Sequence, residues 1–575
     1  MPKYKADHRD IFFNLFEMLK VQDFKDYGLN ESDLKSMLLE YDKFVENEIF
    51  PTREPSDAQG VKLVNGKVIV PECLHRANKA FYENGWFALG LPAEWEGAEV
   101  PEAFFNACIS LMTGANVGYS MYPGLTRAAL SVLLLKANDE QKKILIPAIM
   151  SGKWGGTMCL TEPGAGSDVG AARTQAKKLP NGKYKITGTK IFISSGESDL
   201  YENNIHLVLA KTPGAAEGTK GLSLFIVPRF KYNADGSMAG SNDVICKKIE
   251  HKMGIHASAT CELMFGEAGN CEGELLGEEF EGMTNMFIMM NEARLLCAVQ
   301  GESQANLVYG MSEKYARERV QFGTEIVNIP DVKRMLLKMR AAARGMRSLC
   351  AYTANLFDLK KADHSIEKEI GFFTPLCKSY CTELAFQVSV DAVQVHGGYG
   401  YCTEYGIEQF VRDIKIATIY EGTNGIQAFD FLTRKVLKDN GELLKNILGK
   451  IAGSVKAAPA EFKQEQQMML QVLNDSEKIL NKLAGYAAKK EMNKLLQHAT
   501  EFLNYFASLA MAWRLLESAK LSQSMLDKNP TNEDKTFYQS KVVDFKVYCA
   551  HYLVHNLALS KSMTDFELDL TTLAL

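Results

Sequence analysis

The sequence predicts an α+β protein whose segments run helical, β, helical, helical. Three observations carry this. The 575 residues, 46% hydrophobic and 23% charged, suffice for about three or four ordinary domains with sizeable cores. A middle stretch is rich in Gly turns and short alternating runs. The flanking stretches place apolar residues at helical spacing. Residues 1–40 read as an N-terminal helical arm, with Phe12, Leu15, Phe16 and Leu19 on one face. Residues 41–157 form an N-terminal helical domain that ends after Leu130, Leu133, Leu134 and Leu135 and the charged stretch Asn138–Lys143. Residues 158–280 are the β domain. Tyr184–Gly188, Lys190–Ile193, His206–Ala210 and Leu222–Val227 read as strands of a small antiparallel barrel or sandwich, and Asn181-Gly182 as a hairpin turn. Residues 281–440 are helical again, with Met283, Met286, Phe287 and Met290 as a core-packing stripe. Residues 441–575 form a helical extension. In it Phe502, Phe506, Leu509, Trp513 and Leu516 mark one face of a long amphipathic helix, Asn529–Asp534 is a turn, and another helix runs through Phe545, Tyr548, Tyr552 and Leu553.

Composition excludes several function classes. A net charge of −5 argues against a nucleic-acid partner held by bulk charge. No apolar run approaches a membrane span. The start, MPKYKADHRDIFF, has no secretory h-region, and Asp7 and Asp10 speak against a mitochondrial transit peptide. The 12 Cys contain no CxxC pair and read as reduced, mostly buried thiols of a cytoplasmic protein. The 10 His lack ligand spacing, so no metal is expected.

Several motifs carry chemistry. Asp413–Thr423 (DIKIATIYEGT) sets the carboxylate of Glu421 between the ring of Tyr420 and the flexible Gly422, beside the hydroxyl of Thr423. A carboxylate so placed can reach into an apolar slot and take a proton from carbon. Met158–Asp168 (MCLTEPGAGSD) combines Gly164 and Gly166, which allow close backbone approach, with the hydroxyls of Thr161 and Ser167. It is neither a Walker loop nor a dinucleotide fingerprint. Ile191–Gly196 (IFISSG) pairs a flat ring, Phe192, with a donor, Ser194, at a strand end. Tyr315–Gly323 (YARERVQFG) ends a helix with Arg319, suited to a pyrophosphate, and Phe322, suited to an adenine face. Val393–Gly400 (VQVHGGYG) puts Gly397 and Gly398 where a helix stops and a phosphate or ribityl chain can approach.

Together, in this order and at these separations, with KMGIHAS at 252–258 and RDIKIATIYEGTNGIQ at 412–427, the motifs make residues 40–440 resemble the acyl-CoA dehydrogenase flavoprotein family. The resemblance implies an N-terminal helical domain, a middle β domain and a C-terminal four-helix bundle. It implies FAD, an acyl-CoA substrate, electron-transfer flavoprotein as acceptor, and a homodimer or dimer of dimers. Glu421 would be the catalytic base, with its pKa raised by apolar surroundings. Its N–H would bind the thioester carbonyl. Met158, Thr161, Ser167, Phe192, Ile193 and Ser194 would line the isoalloxazine. Arg319, Phe322, Gln394, Gly397 and Gly398 would hold the ADP half, in the neighbouring subunit's site. Thr423 and Gly425 would meet the cofactor beside the base. Ser167, Tyr420, Gly422 and Arg294, the last at the start of a helix, would border the substrate.

Members that carry the base on another helix place it one residue before the Arg matched by Arg294. That position is Ala293, so Glu421 is the base candidate, and Glu292, about 100° away around the helix, ranks second. Phe192 stands where many members have Trp. Asn424-Gly425 and Ile329-Pro330 replace polar pairs near the cofactor. The arm and extension resemble the subgroup that includes 3-(methylthio)propionyl-CoA dehydrogenase, which implies that thioester or another fatty acyl-CoA as substrate. The extension is also similar to the extra domain of very-long-chain members that associate with membranes, but its aromatic stripe reads first as core or dimer interface. Tyr119, Met121 and Tyr122 lie where chain length is often set, and bulky rings there favour a short acyl group. Two rivals remain: an acyl-CoA oxidase of the same fold using O₂, and an idle relative acting in assembly or DNA association.

Overall fold

The computed structural model of the chain describes residues 4–574; Phe287 of the methionine stripe lies outside the described side chains, with its neighbours at 288 and 289. The chain divides into two compact units. One consists of Leu39–Val100 and Ala115–Ala293; the other of the chain up to Leu38, Pro101–Gly114 and Arg294 onward.

In the first unit two helices lead into the sheet. Asn116 caps α1 (Val117–Lys136) by accepting from the Tyr119 N–H. The charged stretch after it starts α2 (Asp139–Met150) with a reciprocal capping box between Asn138 and Gln141. The strands are β1 (Trp154–Cys159), β2 (Gln175–Lys178), β3 (Tyr184–Ser194), β4 (Asn203–Lys211), β5 (Leu222–Pro228), β6 (Val244–Ile249), β7 (Thr260–Phe265) and β8 (Glu272–Leu275). The runs Tyr184–Gly188 and Lys190–Ile193 are thus one strand. β3 pairs with β8, β8 with β5, β5 with β4, and β2 with both β4 and β3, so the ladder closes on itself. β1 extends it from β4, and β7 then β6 extend it from β3. The all-antiparallel expectation needs correction, because β1 and β2 both run parallel to β4. The segments carrying β2 and β3 intervene between β1 and β4, and such a crossover is what parallel pairing needs. The expected turn joins β2 to β3, with Gly182 at φ 83°.

In the second unit the long helices are α3 (Gly282–Glu318, entering from residue 294), α4 (Pro330–Ala362), α5 (Glu367–His396), α6 (Ala499–Leu526) and α7 (Asn532–Tyr548). A Cβ at Gly301 would stand 2.8 Å from the Cys381 carbonyl, so this glycine lets α3 and α5 approach backbone to backbone. The extension's aromatic helix departs from expectation. On α6 the stripe residues Phe502, Phe506, Leu509, Trp513 and Leu516 are buried, but so are Tyr505, Ala507, Ala510, Met511, Ala512 and Leu515. The helix is enclosed on all sides, not amphipathic, because α4, α5 and α7 pack around it.

The arm is fastened through buried charge. Asp10 is fully buried and receives Lys541 Nζ of α7 at 2.6 Å and Arg347 Nη1 of α4 at 2.8 Å. Arg347 Nε reaches Glu302 Oε1 of α3 at 2.9 Å, and Glu302 accepts from Ser110. Arg344 bridges Asp544 at 3.1 Å and Asp7 at 2.9 Å. Beside this network Phe13 meets Phe537 edge-on, and the Arg9 guanidinium lies over the Phe537 ring. Burial opposes ionisation of Asp10, but Lys541, Arg344 and Arg347 outweigh it and hold its carboxyl well below the usual range.

Losing one partner strands the others in a dry site, so Lys541→Met and Asp10→Asn should each cost about 3–5 kcal/mol in urea unfolding, and the double variant less than the sum. A depressed folded pKa means that Asp10's contribution is complete above its unfolded value near ~3.9 and disappears on acidification below it. Acid unfolding of Asp10→Asn that matches the parent midpoint would refute this.

Candidate active site

In the second unit the chain leaves the turn of helix Lys415–Thr418 and passes through Tyr420, Glu421 and Gly422 into the short helix Asn424–Asp430. Glu421 and Gly422 both take left-handed backbone, φ 55° and 84°. Three contacts enforce this. Gln427, fully buried, donates from Nε2 to the carbonyls of Glu421 and Gly422, each at 3.2 Å. Thr423 caps the short helix by accepting from the Ile426 N–H. The Tyr420 hydroxyl donates to Gln300 Oε1 of α3. A side chain at Gly422 would collide with Gln427, its Cβ 2.8 Å from Nε2.

The turn presents the half-buried Glu421 with its carboxylate and its N–H both unbonded among the described residues. Desolvation raises its pKa, while the cations Lys378 and Arg294 pull it back. Arg294 is buried and holds Asp430 Oδ2 at 2.8 Å. It sits inside α3, not at a helix start as expected, because the helix begins at Gly282 and runs through the methionine stripe without a break. Lys378 on α5 was not singled out by the sequence reading. The available signal was a lone lysine directly after the mostly apolar run Phe372–Cys377. The second-ranked Glu292 is exposed and lacks the desolvation a carbon base needs.

Arg319 and the glycine pair of the predicted ADP-binding set come together at the far end of α5. The Arg319 guanidinium lies over Tyr399, 5.5 Å from the ring centroid, next to Gly397 and Gly398, where an added Cβ would meet nothing within 4 Å. Gln394 is exposed on the last turn of α5. Phe322 tips a two-stranded hairpin at φ 53° and is 96% exposed. Gly425 is exposed near the start of the short helix.

In the first unit β3 carries the predicted ring-binding residues. Its register against β7 shifts so that Ile191 and Phe192 together face Glu262, a bulge that turns Phe192 outward at φ 57° and 59% exposure. Ser194 is half-buried beside it. The Ile193 side chain points into the β core, so only its backbone is available to a ligand. The Thr161 carbonyl accepts from Ile191 N–H at 2.9 Å, which joins the TEPGAGSD loop to β3. Glu162 shapes that loop. It accepts from Lys190 Nζ at 2.7 Å, the Arg173 N–H at 2.6 Å and the Thr174 hydroxyl at 2.6 Å. Burial opposes its ionisation, but Lys190 and these donors hold its carboxyl below the ordinary range. Thr161 and Met158 are half-buried and Ser167 is exposed on the same rim. Tyr119 and Tyr122 are fully buried and tied, Tyr122 to the Ala257 carbonyl and the Ala259 N–H, Tyr119 to Asn78.

Within the first unit, an uncovered aromatic ring on strained backbone with hydroxyl donors beside it suits a flat heterocycle; within the second, open glycines next to a cation suit a phosphate. Among the described residues no His, Cys, Asp and Glu cluster is arranged to hold a metal ion, and no helix is long and apolar enough to cross a membrane.

Residues 157–268 match the family model "Acyl-CoA dehydrogenase, middle domain", 281–435 "Acyl-CoA dehydrogenase, C-terminal domain", and 446–574 "Acetyl-CoA dehydrogenase C-terminal like". Over 100% of both chains the sequence is 36% identical to 3-methylmercaptopropionyl-CoA dehydrogenase of Ruegeria pomeroyi. It is 34% identical, over 96% of each, to a broad-specificity linear acyl-CoA dehydrogenase of Mycobacterium tuberculosis. An acyl-CoA dehydrogenase of Bacillus anthracis solved with FAD superposes with a TM-score of 0.75 at 22% identity, covering 93% of this chain and 88% of that one.

Because Lys190 and Glu162 are buried together under the loop, Lys190→Met should lower stability by about 3–5 kcal/mol, whereas Lys190→Met with Glu162→Gln should recover part of the loss. Chemical denaturation measures both, and strictly additive losses would show that the pair is not coupled.

Proposed function

We infer the reaction from one premise: this chain belongs to the acyl-CoA dehydrogenase family, with the C-terminal extension domain, and is an oxidoreductase of acyl-CoA thioesters. Glu421 is the proposed base. The observation that carries this is the turn itself, which offers an unbonded, desolvated carboxylate beside an unbonded N–H on one residue. The N–H binds the thioester carbonyl and stabilises the negative charge that develops there. The carboxylate oxygen takes the α-proton, and Tyr420 and Gly422 wall the slot against water. The proposed cofactor, FAD, supplies when bound the acceptor for the β-hydride, so the product is the trans-2-enoyl-CoA.

Phe192, the Thr161 and Ser194 hydroxyls, Met158, Ser167 and the backbone of Ile193 are proposed to hold the flavin ring. Arg319, Phe322, Gln394, Gly397 and Gly398 are proposed to hold an ADP half in a neighbouring copy, which makes the enzyme a homodimer or a dimer of dimers. Thr423 and Gly425 meet the cofactor beside the base. The proposed substrate is a short linear acyl-CoA of the 3-(methylthio)propionyl class. Full-length similarity to an enzyme named for that thioester supports this. The proposed electron acceptor is electron-transfer flavoprotein.

Glu421→Gln should retain yellow FAD and slow anaerobic bleaching by acyl-CoA roughly 10²–10⁴-fold. Bleaching at the parent rate would move the base elsewhere, with Glu292 next to test. In the parent, kcat/KM should rise with pH along a limb lying above ~4.3, since burial raises the carboxyl that must lose its proton first. A panel from propionyl and methylthiopropionyl to palmitoyl thioesters fixes chain length. Reduced enzyme that stays reduced in air until the flavoprotein acceptor is added fits a dehydrogenase; rapid reoxidation by O₂ alone fits an oxidase.

A further inference from the structure

Lys378 has no assigned part in the reaction, yet it is a fully buried ammonium on α5 with no carboxylate at ion-pair distance among the described residues. Its hydrogen bond runs from Nζ to Asn424 Oδ1 at 2.9 Å. Asn424 opens the short helix three residues after Glu421. The Asn424 amide is held on its other side as well: Nδ2 donates to Glu383 Oε1 at 2.9 Å, and to the Thr382 hydroxyl and the Ser379 carbonyl at 3.3 Å. The amide therefore has one acceptable orientation, with its oxygen towards the lysine.

The groups facing Lys378 are Cys297 and Arg294 from α3, Glu421 from the turn and Glu383 from its own helix. Those facing Glu421 include Lys378 and Arg294, with Cys297 and Tyr420 nearby. Arg294 already spends its charge on Asp430 at 2.8 Å. Glu383 spends one oxygen on Asn424. What remains is a buried cation without an ion pair, held by Asn424, and a carboxylate without a hydrogen bond three residues before that asparagine in the chain. Burial lowers the ammonium to about 8, so it is charged at neutral pH.

We propose that Lys378 is a positioning residue for the base: its ammonium is the counter-charge that keeps Glu421 ionised in a desolvated slot, and its bond to Asn424 fixes the start of the helix that carries the turn. This rests on Glu421 being the base. Without the cation the carboxyl would hold a proton over more of the working pH range, and fewer enzyme molecules could accept one from carbon.

The test uses FAD-loaded protein and an acyl-CoA analogue with sulfur in place of the β-carbon, which has no β-hydride to lose. Exchange of its α-protons into D₂O, followed by NMR against pH, reports the base alone. Lys378→Met should move the rising limb of the exchange profile about one unit to higher pH. Lys378→Arg should return it towards the parent. Asn424→Asp, which hands the lysine a carboxylate of its own, should shift it upward with Lys378 still present, and serves if Lys378→Met does not fold. Urea unfolding at pH 7 gives a second readout. Lys378→Met and Glu421→Gln should be non-additive, the second change offsetting part of the first. A limb unmoved in both Lys378→Met and Asn424→Asp, or strictly additive unfolding, overturns the proposal. Undiminished exchange in Glu421→Gln is a different failure, that of the base assignment.

Discussion

Asp10 sets the condition on which the second unit depends. A carboxylate withdrawn fully from water is costly unless cations replace its hydration, and here they come from α4 and α7, more than 300 residues further along the chain. Neither helix can be left with unmatched charge, so arm, bundle and extension have to assemble together. The network then passes through Arg347 and Glu302 to α3 and to Ser110 on the helix Glu102–Ala115. That path reaches the helix that carries Arg294 and Gln300, the latter holding Tyr420 next to Glu421. The extension, through Lys541, is therefore part of the scaffold that fixes the turn.

Much of this was legible in the sequence. Alternation exposed β3, β4 and β5, the Asn181-Gly182 pair exposed the turn between β2 and β3, and the motif around Glu421 exposed the base candidate. What periodicity could not reveal depends on partners distant in sequence. The enclosure of α6 follows from neighbours packing on every side, and a pattern that looks one-faced does not record them. The parallel pairing of β1 follows from the path of the chain between strands. Arg294 looked like a helix start because methionines and the charged residues after it differ in texture, although the backbone continues unbroken. Gln427 and Lys378 act through a carbonyl and an amide on neighbouring turns, and neither contact leaves a mark in residue spacing.

The electrostatics of the turn are a balance, not a single shift. Removing water from a carboxylate raises its affinity for a proton and so favours its protonated form, as burial does at Glu421. The two cations oppose this effect. Arg294 is tied to Asp430, while Lys378 has no carboxylate at ion-pair distance among the described residues. A site built this way is ready before substrate arrives, with little rearrangement left for the chemical step.

The backbone at position 421 has a further consequence. Left-handed φ suits glycine or asparagine, and a glutamate there carries local strain of order 1 kcal/mol or more. Only the longer acid, though, has the two methylenes that extend its oxygens away from the chain. Mutational drift under selection for a hardier fold alone would replace this residue, whereas selection for turnover would keep it. A glutamate held in this turn therefore trades local stability for reach: glycine or asparagine at 421 would relax the backbone and give up the extended carboxylate.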